Sequence, residues 1–364
     1  MDIKLIFKIY LIFGITFAYS QTYEDALRYN SYNHEGTSRF NSMGGAFGAL
    51  GGDLSSISIN PAGSSIFLDS EFGVTLNYKN QEIKNIFNNS KSLSKNDLLS
   101  YNNIGLVLVY GNNRSKFSLG YNMNRLNDYS SSFSFTGKNS IGIDSYFLDY
   151  STGVPSSNLS VFDGETIQSV YKALGDSYGY GDQQAFLGYQ SYLINQVDDL
   201  PNNYVSNALY SNVNQLLSID RKGDHLVHSL NLSTSYNDNI YLGLNLNFHS
   251  LEFEEYKFFK ESGYSSNSNV KRVQFEENLF SYGQGLSIQL GSLLKFDNLR
   301  IGLSYTSPTY LKIEEESSQY IESDIIEDDT LKTVTVDPNT INLFQDYRLR
   351  LPSKTMLSLA YIFR

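Results

Sequence analysis

A two-residue alternation of apolar and polar side chains recurs along this chain in segments of about ten residues, and it constrains the fold more than any other feature. In segment 239–249, Ile240, Leu242, Leu244, Leu246 and Phe248 alternate with Tyr241, Gly243, Asn245, Asn247 and His249. In 226–236, Leu226, Leu230 and Leu232 stand against Ser229, Asn231, Ser233 and Ser235. In 282–296, Leu286, Ile288, Leu290 and Leu294 stand against Gly283, Gly285, Ser287 and Gln289. Further apolar sets are Phe72, Val74, Leu76 and Tyr78; Ile104, Leu106, Leu108 and Tyr110; and Phe117, Leu119, Tyr121 and Met123. Leu299, Ile301, Leu303 and Tyr305, and then Leu357, Leu359, Tyr361 and Phe363, complete the series. Side chains of a strand point alternately to its two faces, so each segment has one greasy and one polar side. About eight strands are clear by this test, with weaker candidates at 130–136, 216–221, 272–277 and 333–336.

A soluble sandwich would show the same period, with its greasy face in a core. Three features point instead to a membrane barrel. The polar faces carry Gly, Ser, Asn and Gln more than Lys and Glu, as a crowded lumen would. The strands exceed the five or six residues or so typical of sandwiches. Gly111-Asn112-Asn113, Asn237-Asp238 and Asp297-Asn298 make tight turns, whereas the other connections run for twenty to ninety residues. Short periplasmic turns and long extracellular loops are the layout of an outer-membrane barrel, and strict alternation of the two would put both chain ends on the periplasmic side. Beyond residue 20 no apolar stretch approaches the roughly 20 residues of a spanning helix. The expected fold is therefore all-β, an antiparallel transmembrane β-barrel over 66–364.

Residues 1–20 read as an export signal. Lys4 and Lys8 precede an apolar run at 9–17, and Ala18-Tyr19-Ser20 gives small residues at the cleavage positions, so cleavage is expected before Gln21. Cysteine is absent, which excludes a lipoprotein anchor and a disulfide scaffold. A net charge of −11 leaves no nucleic-acid footprint. The 29 Tyr and 23 Phe suit strands and membrane interfaces.

Two internal stretches depart from the strand period. Ile167, Val170, Tyr171 and Leu174, then Phe186, Tyr189 and Leu193, have helical spacing, so a helical extracellular insert is expected over about 163–200. The acidic stretch 314–329 reads as a solvated loop without EF-hand spacing. The four histidines are His34, His225, His228 and His249. His225 and His228 fall on opposite strand faces, which argues against a paired metal or haem site, and no serine sits in a hydrolase motif, so neither enzyme nor cofactor is expected.

Segment 21–65, ahead of the first strand, contains five glycines within nine residues: Gly44, Gly45, Gly48, Gly51 and Gly52. Phe40, Met43, Phe47, Leu50, Ile57 and Ile59 are interleaved with them, which a solvated linker would avoid. A compact plug with close backbone approach fits better. The run MGGAFGALGGD at 43–53, followed by Asn60-Pro61-Ala62-Gly63, resembles the N-terminal hatch of the FadL/TodX family of outer-membrane transporters, most of all its Bacteroidetes branch. The segments SYLIN at 191–195, YLGLNLNF at 241–248 and LRIGLSYTSPTY at 299–310 extend the likeness along most of the chain.

The resemblance implies a barrel of about fourteen strands whose hatch plugs the lumen. It implies transport of hydrophobic compounds, long-chain fatty acids or aromatic hydrocarbons, captured outside and released through a gap in the wall. The partners are then outer-membrane lipid and a hydrophobic small molecule. Hatch and gating roles fall on Asn60, Pro61, Ala62, Gly63, Gly44, Gly45, Gly51 and Gly52. Arg39, Phe40, Met43 and Phe47 become ligand-contact candidates, with an Arg39–Asp53 ion pair as the structural alternative for Arg39. A second reading makes the chain a non-transporting partner or shuttle in a secretion or surface-assembly complex. A porin for polar solutes is disfavoured by the apolar hatch. The segment 355–363 resembles a middle strand of the family, so a C-terminally truncated member is one expectation. The rival is a small barrel of about eight to ten strands, closed between the strand near Glu71 and the strand ending at Phe363.

Overall fold

The structure, a computed structural model, describes residues 23–30, 35–112, 115–198 and 200–363. The expected export signal, His34 and Arg364 lie outside the described residues. The chain forms two compact units, Met1–Tyr32 and Asn33–Arg364. In the first, helix Tyr23–Tyr29 carries an Arg28–Asp25 ion pair at 3.0 Å.

The second unit is built on strands β1 (Glu71–Phe87), β2 (Ser90–Asn112), β3 (Ser115–Asp128), β4 (Ser131–Asn139), β5 (Ile194–Val197), β6 (Leu200–Ser206), β7 (Val213–Tyr236) and β8 (Ile240–Ser262). They are followed by β9 (Val270–Lys295), β10 (Leu299–Thr306), β11 (Thr309–Glu327), β12 (Thr330–Val336), β13 (Asn342–Leu343), β14 (Tyr347–Leu351) and β15 (Lys354–Tyr361). One antiparallel sheet runs β1-β2-β3-β7-β8-β9-β10-β15. β4 continues the line of β3 along β7, β11 continues β10 along β9, and β14 leads into β15 along β11. Eight long strands result. Prolines mark two of the breaks: Pro308 lies between β10 and β11, and Pro352 between β14 and β15. Proline supplies no ladder donor. Ser307 bridges its break, with its N–H donating to Ile288 O at 2.8 Å and its Oγ accepting from Ile288 N at 3.0 Å. Among the described residues, β1 pairs only with β2 and β15 only with β10, so these strands do not close on each other.

The apolar and polar faces fall as the alternation requires. Leu230, Leu232, Leu242, Leu244, Leu246, Phe248, Leu286, Ile288, Leu290 and Leu303 point outward and are 39–56% exposed. Asn231, Ser233, Asn245, Asn247, Ser287 and Gln289 point inward and are buried. Met123, expected with the outward set, is buried. No helix among the described residues is long and apolar enough to cross a membrane.

Connection lengths differ from expectation. Asn88 and Asn89, with φ of 43° and 67°, make a two-residue turn, so the stretch after Tyr78 is a hairpin and not a long loop. Asn and Asp tolerate this left-handed geometry, which matches strand twist. Likewise 314–329 is mostly strand β11, ending in the Asp328-Asp329 turn. Its acidity hid its period. Ile321, Ser323 and Ile325 are buried, and Arg272 across the ladder binds the intervening Glu322 and Asp324, each at 2.6 Å.

The helical segment also begins earlier than 163. It comprises Asp144–Ser151, Ser156–Leu159, Ile167–Ser177 and Tyr180–Gln190, and its last residues before 200 turn into the β5–β6 hairpin. Thr166 and Ser169 form a capping box at the start of the third helix. Phe147, Leu159, Tyr171, Leu174, Phe186 and Leu187 pack against Val270, Val273, Ile321, Ile325 and Val336 of the sheet.

Candidate functional site

Residues 35–67 cover the inner face of the sheet. Gly44, Gly45, Gly51 and Gly52 have φ of 61–75°, a left-handed backbone that β-carbons disfavour. At Gly51 a Cβ would also press on the Gly63 backbone at 2.9 Å, where Gly52 N donates to Gly63 O at 3.1 Å. The chain thereby folds back on itself. Asn60 pins the fold-back to the sheet. Its Oδ1 caps the 3-10 helix Pro61–Ile66 through Ala62 N at 3.1 Å. Its Nδ2 donates to Gly48 O at 2.8 Å and to Ser292 O on β9 at 3.0 Å.

The inward polar side chains satisfy the carbonyls of this segment, which burial would otherwise leave unpaired. Asn231 Nδ2 donates to Pro61 O at 3.0 Å, Asn245 Nδ2 to Ile57 O at 2.8 Å, and Gln289 Nε2 to Ile59 O at 3.1 Å. Ser304 Oγ donates to Ile59 O at 2.9 Å, and Arg300 Nη1 to Leu50 O at 3.0 Å. Glycines on three neighbouring strands form the seat. A Cβ on Gly243 would collide with Pro61, on Gly291 with Asn60, and on Gly302 with Gly48. Apolar contacts complete the fit. Phe40, Phe47 and Ile59 cluster with Met356 of β15; Leu54, Ile57 and Phe67 cluster with Val107 of β2; Ala62 meets Tyr241 and Leu293. Leu54 also lies against Gly73 of β1. One short segment thus touches both outermost strands and those between, because the sheet curls around it.

The hatch candidates Asn60, Pro61, Ala62 and Gly63 are therefore buried and bonded, and the four ligand-contact candidates are divided between the interior and the surface of the segment. Phe40 and Phe47 are fully inside the segment's own core, while Met43 is 45% exposed. Arg39 donates to Gly52 O at 2.9 Å and lies 5.3 Å from the Phe47 ring centre. Its alternative partner, Asp53, accepts instead from Thr37 Oγ1 at 2.7 Å and Ser55 N at 2.9 Å.

A second inner feature escaped the sequence reading. Asn102 and Asn103 on β2, Asn122, Asn124 and Arg125 on β3, and His225 on β7 are all buried. Asn102 Oδ1, Asn103 Oδ1, Asn122 Nδ2, Asn124 Oδ1, Arg125 Nε and His225 Nδ1 have no hydrogen-bond partner among the described residues. Strict alternation already turns Asn103, Asn122, Asn124 and His225 inward; bulges opposite Thr75/Leu76 and at Arg125/Asn127 add Asn102 and Arg125. Arg125 already pairs with Asp128 at 3.7 Å and Asp224 at 3.5 Å, and lies 4.8 Å from the Tyr101 ring centre. His225 Nε2 meets His249 Nδ1 at 3.1 Å, and His249 Nε2 meets Ser287 Oγ at 3.1 Å. His228 faces outward, as expected, and meets the Tyr121 hydroxyl at 2.8 Å. Each orphaned buried polar atom costs about 1–3 kcal/mol, so these groups on three adjacent strands suit a polar guest, water or the polar end of an amphiphile. It offers hydrogen bonds more than uncompensated charge. Among the described residues no three His, Asp or Glu side chains group to hold a metal ion.

Comparison with protein families and with curated proteins finds no match for this chain.

Proposed function

We propose that the chain is an outer-membrane β-barrel protein of FadL/TodX type that carries hydrophobic compounds, such as long-chain fatty acids or aromatic hydrocarbons, across the outer membrane. Residues 35–67 act as the hatch, and the helical segment 144–190 lies on the extracellular side. The observation that carries the reading is the pairing of an outward apolar band with an inner face covered by a hydrogen-bonded segment. Isolated soluble proteins do not expose contiguous apolar surface on this scale. From Ile240 to Phe248 the band spans about 27 Å of strand, or about 21 Å along the normal for a tilted strand, close to the roughly 25 Å of outer-membrane barrels. Rings near both ends, Tyr236 and Phe296 at one and Phe248 and Tyr282 at the other, fit interfacial girdles.

Sealing matters because an open lumen would leak polar solutes, while an apolar cargo gains only from burial of its carbon surface. The buried polar groups of β2, β3 and β7 suit the polar end of an amphiphilic cargo. Uptake of a labelled long-chain fatty acid by liposomes holding the protein tests the reading. Uptake above that of empty liposomes supports it. Absence of uptake, with co-purification in a large complex, would favour the partner or shuttle role.

A further inference from the structure

Outward residues change character abruptly at one level of the sheet. Ladder pairing sets Phe248, Leu286, Tyr310 and Arg350 side by side on β8, β9, β11 and β14. One step further along the strands, Ser250, Gln284, Lys312 and Arg348 form the next row. Ile288 and Leu290 continue the apolar band on the other side. A groove of about 680 Å³ runs along this boundary, lined outward by His228, Phe248, Ser250, Gln284, Leu286 and Tyr310.

From this placement we infer that the groove and the cations beside it bind an anionic phospholipid of the surrounding bilayer, one whose phosphate charge no headgroup cation offsets, with its phosphate on Arg348 and Arg350 and its acyl chains along Leu286 and Ile288. The inference rests on the membrane reading above. Charge complementarity selects this occupant. In a chain of net charge −11, three cations cluster where the apolar band ends. Arg348 and Arg350 are exposed, and neither makes an ion pair with a carboxylate among the described residues. Arg350 stacks on Tyr310, 5.7 Å from its ring centre, which holds the guanidinium at groove depth. Lys312 is shared between Glu314 at 2.7 Å and Asp346 at 3.0 Å, so it contributes less. Those two acids lie beyond the cations, away from the apolar band, as does Glu252 beyond Ser250 on β8. A phosphate therefore meets guanidinium groups at the depth where acyl chains begin, and Arg can bind it with two parallel donors.

The test is native mass spectrometry of the full chain in vesicles of equal phosphatidylglycerol and phosphatidylcholine, with flotation scoring membrane insertion. The wild-type protein should retain phosphatidylglycerol at least about five-fold over phosphatidylcholine, and high salt should weaken the preference. R348A/R350A should bring the ratio to that of the bulk, R348K/R350K should keep part of it, and K312A should reduce it less. Unchanged melting of the variants shows that folding is intact. A wild-type protein that floats with vesicles but selects neither lipid overturns this inference and leaves the membrane reading standing. Equal selectivity in R348A/R350A also overturns it. Failure to float overturns both.

Discussion

At Asn60 a single amide closes three contacts: the 3-10 helix, the Gly48 carbonyl and the Ser292 carbonyl of the wall. Asn60→Ala removes all three hydrogen bonds, and should cost about 2–3 kcal/mol in thermal or denaturant unfolding. In reconstituted channels it should also raise passage of small polar dyes. Unchanged leakiness would contradict the sealing role. The glycines separate backbone conformation from seating. Gly44 has open space around its Cβ position, so Gly44→Ala adds strain of about 1 kcal/mol but should leave the seal intact. Gly291→Ala drives a methyl group into Asn60 and Pro61, and should open the seal although its own backbone is an ordinary strand. Equal dye leakage in the two variants would count against the glycine seat.

At the scale of elements, the strand faces were legible because their period is two and their polar side chains are small. Leu244→Arg, outward at mid-strand, should cost about 2–4 kcal/mol of stability in a bilayer. A harmless Leu244→Arg beside a severe Asn245→Arg would invert the assignment of faces. Where charge masked the alternation, the sequence reading failed. β11 looked like a solvated loop until Arg272 was seen to pair with Glu322 and Asp324 across the ladder. Bulges likewise hid the inward turn of Asn102 and Arg125, and the His225–His249 contact depends on cross-strand register, which one strand's period does not carry. The beginning of the helical segment was missed because Asp144–Ser151 carries its apolar residues without a clear stripe. The Arg272 pair has a pH signature. Its guanidinium holds Asp324 below the usual carboxylate range. The folded pKa is depressed, so the stabilisation is present above an unfolded value of about 3.9 and is lost as pH falls through the lowered value. Protection of the β11–β12 hairpin against hydrogen exchange, taken relative to the intrinsic rate at each pH, should therefore fall below about pH 4, and Arg272→Ala should flatten that response at a cost of about 1 kcal/mol at neutral pH. An acid response identical in wild type and Arg272→Ala would contradict it.

At the largest scale, the sheet curls around residues 35–67, with polar groups holding that segment and apolar ones turned outward. Among the described residues the outer edges of β1 and β15 are unpaired. In lipid each open backbone group costs several kcal/mol, so a membrane-embedded form needs partners along both edges. The chain contains no cysteine, which makes every introduced thiol a unique label. Single cysteines at Leu242, Leu244, Leu246, Ile288 and Leu290, and at Asn231, Asn245, Ser287 and Gln289, can each carry a fluorophore in protein reconstituted with nitroxide-bearing lipid. The account predicts strong lipid quenching at the five leucine and isoleucine positions and little at the four polar ones. Outward positions untouched by lipid nitroxide yet quenched by a water-soluble agent would contradict it.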